Sequence, residues 1–261
     1  MNYLLALVFV CIGLAAIFYL RPKIMKNILE IQYMKTKTIS ELKDMFKDMD
    51  ANGLGNEYRE FVELKGKIVS NNPVQGPYSK KTVAYCDSKL IQVVETREEY
   101  RDNNNNLRTR TIKHENVLSN QKTSENLNMK DETSEDSIIL EINATGCELD
   151  IPETFNKFEN KSNLRNYDYF RSFSLDRISS DTLGFKMVER TIDINQNIYV
   201  IGEAFRVGNT IHIGKPMDDK KPFIVSTKSE EDLINNSKRK TMLLLIGGII
   251  SIVIGIFMFI K

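Results

Sequence analysis

The two ends of the chain are almost continuously apolar, whereas apolar and polar positions are mixed between them. Asn2 to Leu20 contains 17 apolar residues out of 19, and Thr241 to Ile260 contains 15 out of 20. Neither stretch contains a charged residue. Since a helix of about 20 residues crosses the hydrocarbon core of a bilayer, the pattern predicts transmembrane helices over 2–20 and 241–260. The alternatives are a cleaved signal peptide at the first stretch and a buried core helix at the second.

Positive charges are distributed unequally about these two spans. Those on the side of the central region are Arg21, Lys23, Lys26, Lys35, Lys228, Lys238, Arg239 and Lys240, and Lys261 lies on the other side. Cytoplasmic segments are enriched in Lys and Arg, so the pattern predicts an integral membrane protein with a cytoplasmic central domain. Small residues recur every four positions in the second span, at Gly247, Ser251 and Gly255. They predict close packing against either the first span, through Gly13 and Ala16, or another copy of the chain.

Residues 21–57 have a helical period. Ile24, Ile28, Ile31 and Met34 predict that a helix continues out of the membrane. Thr38 followed by Glu41 has the spacing of a capping box, which predicts a second short helix.

Residues 58–233 change to the alternation of β-strands. The predicted strands are Phe61 to Val69, Val83 to Tyr100, Ser137 to Ile142, Phe185 to Ile192, Ile198 to Val207, Thr210 to Ile213, and Phe223 to Thr227. Gly208 and Asn209 predict a hairpin turn because both residues tolerate positive φ. The fold class is therefore a membrane protein with a mainly β domain, a small barrel or sandwich, between two transmembrane helices.

Two polar insertions interrupt this pattern. Residues 102–136 contain four consecutive asparagines and few large apolar residues, which favours a disordered segment that could be removed at little cost in stability. The alternative is a long hairpin through Leu107 to Leu118 that packs on the sheet. Residues 156–181 contain an aromatic cluster, which we interpret as a local hydrophobic patch or a surface for a partner. Its members are Tyr167, Tyr169, Phe170 and Phe173.

Composition excludes several kinds of chemistry. The 36 basic and 35 acidic residues give a net charge of +1, which argues against nucleic-acid binding. Phosphate-binding loops, the zincin helix and the hydrolase nucleophile elbow are missing from the sequence. The cysteines, Cys11, Cys86 and Cys147, form no C-x-x-C pair, and His114 and His212 are the only histidines. We therefore expect no catalytic residue, no metal site and no cofactor.

Several motifs resemble the GIDE domain, also called the beside-a-membrane domain. They are Glu63-Leu-Lys65-Gly66, Glu189-Arg190, Ile198 to Ala204, and Pro222 to Glu231; the family's Asp-Gly-Thr-Gly-like turn is only echoed by Asn143-Ala-Thr-Gly146. Members of this family include a mitochondrial E3 ubiquitin ligase, in which a zinc-binding RING follows the second span. The Cys and His inventory leads us to expect no RING here, and we expect a bacterial or archaeal source.

The motifs supply the candidate site residues, to which we assign a structural or an interaction role. They are Glu189, Arg190, Gly202, Glu203, Pro222 and Phe223. The predicted function is a membrane-tethered, non-catalytic protein-interaction module, whose partners are the lipid bilayer and a protein of unknown identity. The alternative is an E3 ubiquitin ligase-like protein, which the resemblance implies.

Overall fold

A computed structural model describes residues 2–55, 57–123, 125–143, 145–166, 170 and 179–260. Helices α1 to α4 comprise Asn2–Ala15, Arg21–Tyr33, Ile39–Ala51 and Glu230–Ile260, and a π-helical segment, Ala16–Leu20, joins α1 to α2. Strands β1 to β14 comprise Thr36–Lys37, Glu60–Val69, Val74–Gln75, Thr82–Val83, Tyr85–Arg101, Leu107–Lys122, Leu127–Lys130, Ile138–Leu140, Cys147–Asp150, Glu153–Asn160, Thr182–Ile192, Asn197–Val207, Thr210–Gly214 and Phe223–Ser226.

Two helical stretches are long and apolar enough to cross a membrane: Tyr3–Lys26, which runs from α1 through the π-helical segment into α2, and Glu230–Phe259 in α4. They pack against each other. A Cβ added to Gly13 would lie 2.6 Å from the carbonyl oxygen of Gly248, and one added to Gly255 would lie 2.8 Å from that of Ala6. The Ser251 hydroxyl donates a hydrogen bond of 2.7 Å to the Phe9 carbonyl. The small residues therefore allow close backbone contact between the two helices.

Helix α3 begins where the sequence predicts. Thr38 Oγ1 accepts a hydrogen bond from the Glu41 amide at 3.1 Å, and Glu41 Oε2 accepts one from the Thr38 amide at 2.8 Å. This confirms the predicted capping box. Leu42 and Phe46 are buried, so α3 covers part of the β domain with its apolar face.

Five strands form a closed barrel in the order β2-β7-β8-β13-β12, and pairing between β12 and β2 completes the circle. Alternate residues of β2, such as Val62 and Leu64, enter the core together with Val200 and Ala204 of β12. Strands β14 and β9 extend the sheet from β12. A small β-barrel, one of the two predicted architectures, is therefore confirmed.

Strand β12 is buried on both faces. Ile198 and Val200 point into the barrel, whereas Tyr199 and Ile201 pack outside it with residues that include Met34 and Leu233. This double burial explains why β12 is nearly continuously apolar rather than alternating.

A second, antiparallel sheet has the order β10-β11-β5-β6 and a separate small core. That core contains Leu90, Leu164, Phe170, Phe185 and Met187. Phe170 is therefore buried locally; Tyr167, Tyr169 and Phe173 of the predicted aromatic cluster lie outside the described residues.

The interpretation of residues 102–136 as a disordered insertion is wrong. The segment contains β6, which pairs with β5 along its length, and β7, a strand of the barrel. Leu127 and Met129 of β7 are buried in the main core. The alternative hairpin is present, but Leu107, Val117 and Leu118 are 62%, 60% and 47% exposed instead of packed on the sheet. The segment thus combines an essential barrel strand with an exposed hairpin.

Because β7 is buried in the barrel and the hairpin is exposed, the same substitution of leucine by alanine should lower the free energy of unfolding by different amounts in the two places. Leu127→Ala should destabilise the protein by about 2–5 kcal/mol, because it leaves a cavity in the barrel. Leu107→Ala should change the free energy of unfolding by no more than about 0.5 kcal/mol, because the side chain is largely in water. Chemical unfolding of the full chain in detergent micelles measures both values.

A shortened hairpin is the control for this comparison. Replacing residues 97–111 by Asn-Gly joins the paired residues Thr96 and Ile112 through a tight turn and leaves β7 intact. We expect this trimmed variant to unfold within a few degrees of the parent chain. A loss comparable to that of Leu127→Ala would show that the hairpin belongs to the core.

Candidate functional site

Glu189 has a structural position in β11. Its side chain is fully buried, and Oε1 accepts hydrogen bonds from the amides of Tyr78 at 2.6 Å and Ser79 at 3.2 Å. These residues lie in the turn between β3 and β4, where a Cβ added to Gly76 would come within 2.8 Å of Glu189 Oε2. The carboxylate therefore fixes this turn against the second sheet.

Arg190 points to the other face of the same strand, as strand geometry requires. Its guanidinium lies 3.6 Å from Glu153 Oε1, and the side chain is 42% exposed. The neighbouring Glu189 and Arg190 therefore interact with different parts of the protein instead of forming one site.

The remaining predicted site residues belong to the barrel sheet. Gly202 is in tight contact with its neighbours, because an added Cβ would lie 2.8 Å from Ile213 Cγ2 and 2.9 Å from Phe223 Cδ2. Phe223 is buried in the core, and Pro222 precedes it at the start of β14. The structure therefore brings Gly202 and Phe223 together as a packing contact.

Glu203 lies on the outer face of β12. Its Oε2 accepts hydrogen bonds from Arg59 Nη1 at 2.9 Å and from the Met217 amide at 3.3 Å. These bonds hold the chain before β2 and the loop after β13 against the barrel wall. Glu189, Gly202, Glu203 and Phe223 therefore make contacts within the fold.

Sequence reasoning missed a polar cluster outside the barrel. Glu63 is fully buried on the outer face of β2, where its Oε1 accepts a hydrogen bond of 2.5 Å from Thr36 Oγ1 and lies 3.5 Å from Lys65 Nζ. Lys65 also donates to Glu230 Oε2 at 2.8 Å. Lys65 Nζ also lies 5.7 Å from the centroid of the Tyr199 ring. These five residues join the segment after α2, the barrel and the first turn of α4, and we call them the tether cluster.

Electrostatics couple the members of the tether cluster. Burial raises the pKa of Tyr199, and the negative charge of Glu63 raises it further. Partial burial by itself lowers the pKa of Lys65, but the contacts with Glu230 and Glu63 have the larger effect and raise that pKa above its ordinary value. A cleft of about 910 Å³ lies beside the cluster, and Lys65, Tyr199 and Glu230 line part of it. At neutral pH the cluster therefore contains a neutral tyrosine and a charged lysine.

The end of the hairpin formed by β5 and β6 is almost entirely exposed. Beyond Val94, where pairing of β5 with β11 ends, Thr96–Arg101 pairs only with Leu107–Ile112. We call these two segments and their turn the ribbon. It extends about 20 Å past the sheet at the usual strand rise.

The ribbon is held by its tip and by charges across the strands. Asp102 Oδ1 accepts hydrogen bonds of 2.9 Å from the amides of Asn104 and Asn106. The amide of Asn106 and that of Asn104, with Arg108, lower the pKa of Asp102. Arg110 Nη2 lies 2.9 Å from Glu98 Oε2. These contacts order a polar projection that has little core of its own.

The thiols outside the terminal helices are poorly suited to nucleophilic chemistry. Burial raises the pKa of Cys86 to about 12 and that of Cys147 to about 12. His212 is not beside a thiol; its Nδ1 lies 3.0 Å from Glu141 Oε1. Among the described residues, no group of three or more His, Cys, Asp or Glu side chains is arranged to hold a metal ion.

A closed five-stranded barrel joined to a pair of packed apolar helices defines a helix-anchored β-barrel domain. The sequence model of the GIDE family, described as E3 ubiquitin ligase, matches residues 95–259, and this chain belongs to that family. The predicted membership of this family is thereby confirmed. No curated protein and no solved structure matches the chain.

Two neighbouring substitutions test the roles of the β11 residues. Glu189→Gln should destabilise the protein by about 1–3 kcal/mol, because the amide group cannot accept all the buried hydrogen bonds of the carboxylate. Arg190→Gln should cost no more than about 1 kcal/mol, since it removes a long, solvent-exposed ion pair. Chemical unfolding in detergent gives both values. Equal values for the two variants would contradict the structural role of Glu189.

Proposed function

We propose that this chain is an integral membrane protein whose GIDE domain is a non-catalytic, protein-binding module held beside the bilayer. One observation carries the proposal: the barrel contacts Met34, just after α2, and the first turns of α4, whereas the ribbon extends from the second sheet without cover from the described residues. A projecting strand pair on a rigid support is suited to partner binding.

The helix pair supports the membrane part of this proposal. The apolar spans carry exposed Leu, Ile and Phe side chains, which lipid would cover. Lys23 and Lys26 follow the first span, and Lys238 to Lys240 precede the second. This charge pattern favours a cytoplasmic position for the barrel and the ribbon.

Self-association is a smaller part of the proposal. Ser251 contacts α1, and Gly255 would contact it through an added Cβ, so the first helix already occupies that face. Gly247 has open space where a Cβ would be placed. Another copy of the chain would therefore approach on the side of Gly247 rather than through all three small residues.

The family description favours a second candidate, participation in ubiquitin transfer. A RING needs two zinc ions held by closely spaced Cys and His ligands, and a ligase that carries ubiquitin on its own thiol needs a reactive thiolate. The described residues offer neither arrangement, because the ligand groups are dispersed and Cys86 and Cys147 are shielded. We propose that any such activity depends on a partner.

A labelling experiment tests the orientation. Asn104→Cys, in a chain whose native cysteines are replaced by alanine, should react with a membrane-impermeant maleimide only after the cells are opened. The positive charges near the spans should hold the ribbon on the cytoplasmic side. A cysteine introduced at Lys220 provides a second position in the domain. Rapid labelling of either cysteine in intact cells would reverse the proposed topology.

The thiols give a pH-dependent prediction. The folded-state pKa of Cys86 and Cys147 is about 12, above the ordinary value of 9.0. Both thiols should stay protonated at neutral pH, so alkylation by iodoacetamide should be slow and should accelerate as pH rises toward 12. Urea-unfolded chain is the control and should react fast near pH 9. A fast reaction of folded chain at pH 7, or a ubiquitin thioester on either residue, would contradict the non-catalytic proposal.

Site-directed photocrosslinking in native membranes tests protein binding. A photoreactive side chain at Thr109, in the ribbon, should give a discrete adduct, and the same group at Lys220 should not. An excess of untagged parent chain should compete the adduct away, whereas excess trimmed chain, with residues 97–111 replaced by Asn-Gly, should not. Equal adducts from both positions, or equal competition by both chains, would contradict binding through the ribbon.

A further inference from the structure

We infer that the outer edge of β6 accepts an extended, acidic segment of a partner protein as an added β-strand. The inference rests on the proposed function and assigns the partner's chemistry and its binding mode. β6 is the last strand of its sheet, and its residues are exposed along almost the whole of Leu107–Lys122. An edge strand presents a row of unpaired N–H and C=O groups, which is the template for strand addition.

The ribbon lacks some of the features that protect other edge strands. β6 contains no proline, and its register shift lies near Val117, at the base of the hairpin, not in the ribbon. A two-stranded hairpin is only marginally stable in water, and a third strand would supply new backbone hydrogen bonds. Exposed Leu107 would gain cover at the same time. The ribbon is therefore a surface on which an added strand is favourable.

The charges on β6 favour a partner segment that is acidic. β6 carries four cationic residues, Arg108, Arg110, Lys113 and Lys122, and one acidic residue, Glu115. A second copy pairing through the same edge would bring an excess of cations together, which is unfavourable across strands. A segment with acidic residues would meet them with opposite charge. The same cations therefore disfavour self-pairing and favour an acidic partner.

The positions of the two arginines in β6 indicate where acidic residues should lie in the partner segment. Arg108 and Arg110 are two residues apart and lie on one face of β6. Arg108 bonds Asp102 through Nε, and Arg110 bonds Glu98 through Nε and Nη2. A guanidinium has five N–H donors, so donors remain on both side chains. Acidic residues two positions apart on the incoming strand would meet both arginines.

The test uses the full chain in nanodiscs of neutral lipid and a fluorescent peptide of alternating Glu and Thr, about ten residues long. The parent chain should bind it, and Arg108→Gln with Arg110→Gln should weaken binding by about tenfold or more. Lys47→Gln with Lys220→Gln is the matched control for the change in net charge and should bind like the parent chain. The unfolding temperature of each variant shows whether that chain is folded. The trimmed variant, which retains the barrel, should not bind the peptide.

A second peptide separates strand addition from simple charge attraction. N-methylation at alternate residues keeps every carboxylate but removes backbone donors, so it should weaken binding by about tenfold. Hydrogen exchange at the β6 amides should slow when the unmodified peptide binds. Equal binding of the methylated peptide, tighter binding of single-stranded oligonucleotide, or ribbon-dependent dimerisation without peptide would each overturn the inference. A photocrosslinked adduct at Thr109 in a chain that does not bind the peptide would contradict this inference but not the proposed function. Absence of the photocrosslinked adduct would contradict the proposed function.

Discussion

The pairing of β2 with β12 is the interaction on which the rest of the structure depends. It closes the barrel, and both helical attachments join the barrel at this pair of strands. β1, which follows α2, pairs with β2 at Glu63 and Leu64; β14, which precedes α4, pairs with β12 at Tyr199–Ile201. Since Glu63 and Tyr199 also belong to the tether cluster, closure of the barrel and attachment to the helices use the same residues.

The buried residues of the barrel and the exposed residues of the ribbon lie in different parts of the chain. Buried aliphatic residues of the barrel surround β12, and the candidate motif residues such as Gly202 and Glu189 fix close contacts and turns. The ribbon, by contrast, depends on a capped turn and exposed ion pairs, which contribute little to the stability of a domain. A surface of this kind can change its sequence without affecting the core.

Alternation and capping signals in the sequence predicted much of this fold. They located β2, β12, the turn at Gly208 and the start of α3, because each has a strong local pattern. They did not predict β7, β9 and β10, which are short or mostly polar and are ordered by pairing with distant strands. The sequence also did not predict that Glu63 is buried. A glutamate on the outer face of a strand ordinarily lies in water, and only tertiary structure shows that β1 and α4 cover it.

Helix α4 runs without interruption from Glu230, beside the barrel, to Ile260 at the end of the apolar span. Thr241 lies eleven positions after Glu230, so in the proposed arrangement the point where α4 is bonded to the barrel stands about 16 Å above the start of that span. A helix responds to a thicker or thinner bilayer by tilting. Because α4 is continuous and its first turn is bonded to Lys65, such a tilt would change the height and angle of the whole domain relative to the bilayer.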